Sequence, residues 1–513
     1  MPDQNSGDQY STWVGLIYVF NLIVGTGALT LPAVFSKAGW ALGLSIILIL
    51  AFISFITVTF VIEVMASANA IVTWRHIQYR KRVCFSQDSS FNESESEVQQ
   101  CLGESGSPNS DSEDTPLVTP FLNNPDYADM TYRYYVISDK IEMGQMATIF
   151  FNKFGTTLFY LCFVTYLYGD LSIYGAAVAK TLAGVACTYQ PMNYTCNDTI
   201  PDTEICWEEY TLNRQHAYRI FLSIFVLLLG PFVFFNIQKT KYLQLLTSAM
   251  RWLAFTIMIV YALKNLFIHG AQGNPPAANI VGIPTLFGAC IYSFMCHHSL
   301  PALVAPIENK STLSRFLALD YLLIAFFYLL LALTGAFAFK HLDDLYTLDF
   351  SPRGSGDCSK SNNIFIILIE YFLALFPVFT LSTSFPIIAI TLRNNLKSLF
   401  RGEDASYSCL NKLVFPILTV LPPYLIALST KDLSILVEIT GSYAGAGIQY
   451  LIPTFLVYYA RQKTNKVIGL GVVNKFASPF SSHYWLVFVV IWAIACMILV
   501  SVNFIQVHKN FTE

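Results

Sequence analysis

The stretch Asn21-Leu-Ile-Val24-Gly25-Thr26-Gly27-Ala28-Leu-Thr-Leu-Pro32 sets two glycines around a threonine inside an apolar run. Glycine costs a helix about 1 kcal/mol relative to alanine, so a helix is weakest there. A break leaves backbone groups without partners. The amides of Thr26, Gly27 and Ala28, opening the second half-helix, suit a carboxylate, and the carbonyls that end the first half, Val24 included, suit a cation. On this reading Gly25 to Ala28 bind a solute, and a side chain at Gly27 would intrude on it. The competing reading is packing, because small residues also let membrane helices approach closely.

A second interruption follows at Ile291-Tyr-Ser-Phe-Met-Cys296-His297-His298-Ser-Leu-Pro301, where polar groups and a proline cut another apolar run. Cys296 and His297 are its candidate solute contacts. The two interrupted runs are five spans apart, and an odd number of spans inverts the second copy. Paired broken helices at corresponding positions of two halves point to a transporter site.

Carboxylates inside apolar runs are costly enough to be functional by default. Asp170 falls near the middle of the third run and is a candidate proton carrier; Glu370 and Glu438 lie inside later ones. The alternative is a structural ion pair, with Arg251 or Lys180 as partner. Glu63 and Glu308 stand near run ends and are expected to reach the interface. His297 and His298 are adjacent, about 100° apart on a helix, and do not easily share a metal ion; no His-Glu-x-x-His run exists. Phosphate-loop and nucleophile-elbow patterns are also missing from the sequence, so neither an enzyme nor a cofactor is expected.

The elements that position these residues follow from composition. Of 513 residues, 54% are hydrophobic and only 12% charged, far too few for a water-soluble surface of this size. Apolar runs long enough to cross a bilayer as helix fall at 13–35, 41–68, 156–182, 217–236, 243–263, 282–305, 315–339, 363–392, 412–430, 433–460 and 484–507. The sequence therefore predicts an all-α polytopic membrane protein with eleven transmembrane helices. Pro416, Pro422 and Pro423 in the ninth require packed neighbours to satisfy the freed backbone. The first run has no basic flank and no cleavage site, so it is expected to stay in the mature protein. A net charge of −3 argues against nucleic acid as a partner. Lys and Arg concentrate on one side if the N-terminal tail (1–12) is cytoplasmic, with nineteen there against ten opposite.

That orientation makes 69–155 a cytoplasmic loop, with an acidic, serine-rich, disordered-type stretch at 86–120. The loop at 183–216 and the tail at 508–513 then face the lumen or the exterior. Asn193-Tyr-Thr195 and Asn197-Asp-Thr199 are glycan acceptor sequons in that loop. Cys187, Cys196 and Cys206 lie in it too, and Cys358 sits in the next long outer loop. Four cysteines allow three pairings, and Cys196–Cys206 is the expected bond because it closes the shortest loop.

The Asn21–Pro32 stretch, followed by Ala38-Gly39-Trp40, resembles the first span of the amino acid/auxin permease family. The same family is matched by Phe294-Met-Cys-His-His-Ser-Leu-Pro301, by Pro386 and Arg393, and by Gly441-Ser-Tyr-Ala-Gly445 with Ile452-Pro453. The resemblance covers essentially the whole membrane core. The acidic loop and divergent middle spans place the chain nearest one outlying branch. The resemblance implies a bacterial-leucine-transporter-like fold: one five-helix repeat over 13–263, an inverted second over 282–460, and an eleventh helix at 484–507. In sodium-coupled members, an asparagine early in the first span and a hydroxyl in the eighth hold the ion; Asn21 and Ser382, Thr383 or Ser384 match. The family's usual second proline before the span 8 arginine is absent, Thr391 standing in its place. The expected function is secondary active transport of amino acids or similar small zwitterions, driven by sodium or protons, in the plasma or an endolysosomal membrane. Glu113-Asp-Thr-Pro-Leu117-Val118 resembles an acidic dileucine sorting signal. The alternative is a transporter-like solute receptor or scaffold signalling through the acidic loop.

Overall fold

The computed structural model describes residues 10–88, 134–189, 191, 200–235, 241–351, 363–401, 409–469 and 472–512. Asn193, Asn197, Cys196, Cys358 and nearly all of the acidic stretch lie outside them.

The first apolar run forms two helices, α1 (Thr12–Ile23) and α2 (Thr26–Ala38), bent by 52° at Val24-Gly25. The second run is one helix, α3 (Trp40–Asp88), which continues well past residue 68. A short helix, α4 (Met143–Phe150), leads into α5 (Lys153–Ala186), which carries Asp170. A small antiparallel hairpin of β1 (Ile205–Trp207) and β2 (Tyr210–Asn213) precedes α6 (Arg214–Leu229) and α7 (Lys241–His269). The sixth run is again split, into α8 (Ile283–Ser293) and α9 (Leu300–Val304). It is followed by α10 (Leu313–Ala338), α11 (Ile364–Arg401), α12 (Cys409–Ser429) and α13 (Leu433–Ile439). Two turns of π-helix over Thr440–Gly445 and Gly447–Leu451 join α13 to α14 (Ile452–Val467), and α15 (His483–Thr512) closes the described chain.

Seven of these helices are long and apolar enough to cross a bilayer among the described residues, and the bent α1–α2 pair makes an eighth span. Leu227, Val260, Phe326, Leu368 and Ile491 keep more than half their surface exposed. An apolar exterior of that extent suits lipid rather than water.

One proline of α12, Pro422, is accommodated as the ninth run requires. Pro422 deprives the Leu418 carbonyl of its helical donor, and the Tyr168 hydroxyl of α5 donates to that carbonyl at 2.8 Å. Close packing fixes the second break. Gly288 of α8 and Gly441 of the π segment face each other so tightly that a Cβ at Gly441 would meet the Gly288 carbonyl. The helix α8 packs on α2, α13 and this segment, whereas α10 packs on α2, α3 and α7. The two split runs therefore lie against each other, with α10 behind them.

The expected Cys196–Cys206 bond is corrected: Cys206 is bonded to Cys187. The amides of Thr188 and Tyr189 donate to the Cys206 carbonyl at 2.9 and 3.1 Å, and the Trp207 indole donates to Ala186 O at 3.0 Å. These bonds dock β1 on the end of α5 and hold Cys187 beside Cys206. Loop-closure entropy favours the shorter loop only weakly, and docking overrides it.

Candidate functional site

At the first break Val24 and Gly25 leave the helical region, with φ/ψ of −77/84° and −121/−147°. Gly25 borders open space, since a Cβ there would find only Ile23 O, at 4.0 Å. Gly27 does not. A Cβ at Gly27 would lie 2.5 Å from Ser293 Oγ, 2.7 Å from its Cα and 2.9 Å from its N. The expectation that a side chain at Gly27 would meet the solute is thus corrected: it would meet the backbone of α8. Ala28 donates its amide to Gly25 O at 3.2 Å, whereas the amides of Thr26 and Gly27 open α2 without an intrahelical acceptor.

At the second break α8 stops at Ser293, and the chain turns through Phe294 to Ser299 before α9. The Cys296 carbonyl accepts from the amides of Ser299 and Leu300 at 3.1 and 2.9 Å, which closes the turn. Its thiol lies 3.3 Å from the Tyr321 hydroxyl.

One side chain joins the two breaks. The Tyr328 hydroxyl, from α10, sits 2.9 Å from both Ile23 O and Ser293 O. Each is the last carbonyl of a half-helix, left without its helical donor by the break. Nothing in the sequence distinguishes Tyr328 from other aromatic residues of its run.

Asp170 reaches the same place through a partner. The Tyr292 hydroxyl donates to Asp170 Oδ1 and lies 3.2 Å from Thr26 Oγ1. Carboxylate, phenol and threonine form a buried chain from α5 through α8 to the first break. Neither basic residue suggested as a partner for Asp170 bonds to it: Lys180 pairs with Asp344, and Arg251 donates to Asn21 O.

The side chain of Asn21 is buried, and both its Oδ1 and Nδ2 lack a hydrogen-bond partner. Native proteins rarely tolerate such an amide without a ligand or water. Val24 is buried and donates its amide to Phe20 O at 2.8 Å.

Other candidates face elsewhere. His297 Nε2 is 2.8 Å from Thr57 Oγ1 of α3, and its buried Nδ1 has no hydrogen-bond partner. His298 packs beside Phe163 and Tyr166 of α5. Thr383 and Ser384 donate their hydroxyls to Thr380 O, at 2.8 and 3.1 Å, within their own helix. No hydrogen bond among the described residues links Ser382, Thr383 or Ser384 to the first break, because α11 packs mainly on α5 and α7. Glu438 accepts from Thr285 at 2.8 Å.

A family model described as "Transmembrane amino acid transporter protein" matches residues 8–107 and 123–500, which contain both breaks. The chain belongs to this family. It is 52% identical over 507 residues to "Transmembrane protein 104 homolog" of Drosophila melanogaster, covering 96% of this chain and 97% of the relative. It is 47% identical over 514 residues to "Transmembrane protein 104" of Homo sapiens, covering 98% and 97%. A relative from Dictyostelium discoideum, also a "Transmembrane protein 104 homolog", is 33% identical over 539 residues, covering 98% and 99%. These relatives form the outlying branch that the acidic loop suggested.

Proposed function

We propose that the protein is a secondary active transporter of amino acids or similar small zwitterionic solutes. Substrate binds where the first and sixth spans break, and a sodium or proton gradient drives the cycle. The observation that carries this reading is the Tyr328 hydroxyl held 2.9 Å from the freed carbonyls of both half-helices. Broken helices offer backbone groups to a carboxylate and a cation at one place, and here a single phenol registers two breaks against each other. Gly25 borders the open space at this junction, and Thr26 connects it through Tyr292 to Asp170. Family membership supports transport as the activity. The reading takes the chain as two inverted five-helix repeats with an eleventh helix, N-terminus cytoplasmic, in the plasma or an endolysosomal membrane.

The test is uptake by proteoliposomes across an amino acid panel, with imposed sodium or proton gradients. If protons drive the cycle, Asp170→Asn should cut gradient-driven uptake by roughly tenfold or more, the worth of one charge-assisted hydrogen bond. Binding of an amino acid without flux under any gradient would favour a receptor instead. Wild-type pH dependence in Asp170→Asn would remove Asp170 from the coupling path.

Orientation has its own test. Glycosidase treatment should shift the mass of the wild type, and Asn193→Gln with Asn197→Gln should abolish the shift. A shift abolished by Asn92→Gln would invert the topology.

A further inference from the structure

We infer that Arg251 is a resident cation that holds the place of a coupling sodium ion at the first helix break. This rests on the transport reading and narrows it: solute binding at the break runs without sodium.

The argument is an account of carbonyls. The end of α1 leaves its last carbonyls without helical donors. Such groups, carrying the negative end of the helix dipole, are what a hard cation would take as ligands. Here two of them are already in use: Asn21 O accepts from the Arg251 guanidinium, and Ile23 O has the Tyr328 hydroxyl at 2.9 Å. Guanidinium stays protonated in proteins, so the positive charge at Asn21 O is permanent.

Among the described residues no carboxylate forms a salt bridge with Arg251, whereas Lys180 of α5 pairs with Asp344 and Arg393 of α11 donates to Val233 O. An arginine without a carboxylate partner inside a membrane run is costly, and the freed Asn21 carbonyl is the compensation the structure offers. The arginine and the break therefore satisfy each other as a sodium ion and the break would.

Two neighbours point the same way. The hydroxyls of Thr383 and Ser384, two of the three expected eighth-span ligands, donate to Thr380 O within their own helix. The Asn21 amide has both its oxygen and its nitrogen unpartnered. A sodium ion would use the oxygen and leave the nitrogen unmet. A zwitterion supplies an ammonium for the first and a carboxylate for the second.

The experiment measures thermal unfolding of purified wild type, Arg251→Lys and Arg251→Met in sodium chloride and in choline chloride at equal ionic strength. Wild type and Arg251→Lys should melt at the same temperature in both salts. Arg251→Met should melt lower in choline and recover by on the order of 2 °C or more in sodium, as an ion binds the vacated Asn21 carbonyl. A sodium-dependent shift in the wild type overturns the assignment. So does a folded Arg251→Met that ignores sodium. If Arg251→Met is not recovered folded, the wild type decides alone: stabilisation by panel amino acids must be equal in the two salts, and a sodium requirement refutes the proposal. The predicted salt pattern with no response to any amino acid would count against the transport reading and leave Arg251 in its role.

Discussion

Gly27→Val should leave little folded protein, whereas Gly25→Ala should fold normally and fail to bind solute. The two glycines are one residue apart, and their surroundings differ in kind. Beside Gly27 the nearest atoms belong to Ser293, whose Cα would lie 2.7 Å and N 2.9 Å from an added Cβ. A flexible side-chain tip could move aside. These atoms are the backbone of α8, which Gly288 and Gly441 already clamp against the π segment. Overpacking a well-filled interior typically costs 1–3 kcal/mol, and valine here should exceed the low end because neither helix can retreat alone. Beside Gly25 only Ile23 O is near, at 4.0 Å, and the φ of −121° is open to alanine. The methyl group would project into the open space where the solute is proposed to bind. Fluorescence-detected size exclusion and thermal unfolding, with and without the amino acid panel, separate the outcomes. Gly27→Val melting with the wild type would mean that α2 and α8 are not in contact at this point. Gly25→Ala with a full solute response would move the site away from the first break.

The parts of the site that were legible in the sequence are those written as backbone chemistry. Gly25-Thr-Gly27 and the polar run ending in Pro301 announce broken helices because glycine, proline and stranded polar groups disrupt a helix wherever they stand. The ninth-run prolines likewise implied a neighbour able to reach a freed carbonyl, although not that it would be Tyr168. Residues that act by reaching across the bundle left no such mark. Tyr328 is one aromatic among many, and its role exists only because α10 lies behind both breaks. Arg251 was visible as an intramembrane charge, but its partner is a carbonyl, which every residue has. The disulfide differs from the sequence expectation for a related reason: separation along the chain favours Cys196–Cys206, whereas docking of the hairpin on α5 decides the pair. The eighth-span hydroxyls show the same limit: residue type gives a capacity, and Thr383 and Ser384 bond within their own helix.

Arg461→Ala should be the most damaging substitution outside the two breaks, and the reason lies in Glu63. The sequence placed Glu63 near the end of its span, where a carboxylate reaches the interface. Instead it is buried, only 4% exposed. Its Oε1 accepts from Arg461 Nε at 2.7 Å, and its Oε2 from Arg461 NH2 at 2.9 Å and from the Ser478 amide at 2.8 Å. Arg461 also donates to Ser481 O at 2.8 Å. One bidentate pair thus ties α3 and α14 to the segment ahead of α15. Removing one partner of a buried pair strands the other charge, at a cost of about 3–5 kcal/mol, whereas replacing both by neutral groups is often tolerated. Arg461→Ala should therefore lower the melting temperature sharply. Arg461→Lys should recover only part, because an ammonium cannot make the two parallel bonds of the guanidinium. Glu63→Gln combined with Arg461→Met should be more stable than Arg461→Ala, although it carries one change more. That ordering separates a stranded charge from simple loss of packing. If Arg461→Ala and the double variant melt together, the pair contributes nothing as an ion pair, and α3 and α14 are held by their apolar contact alone.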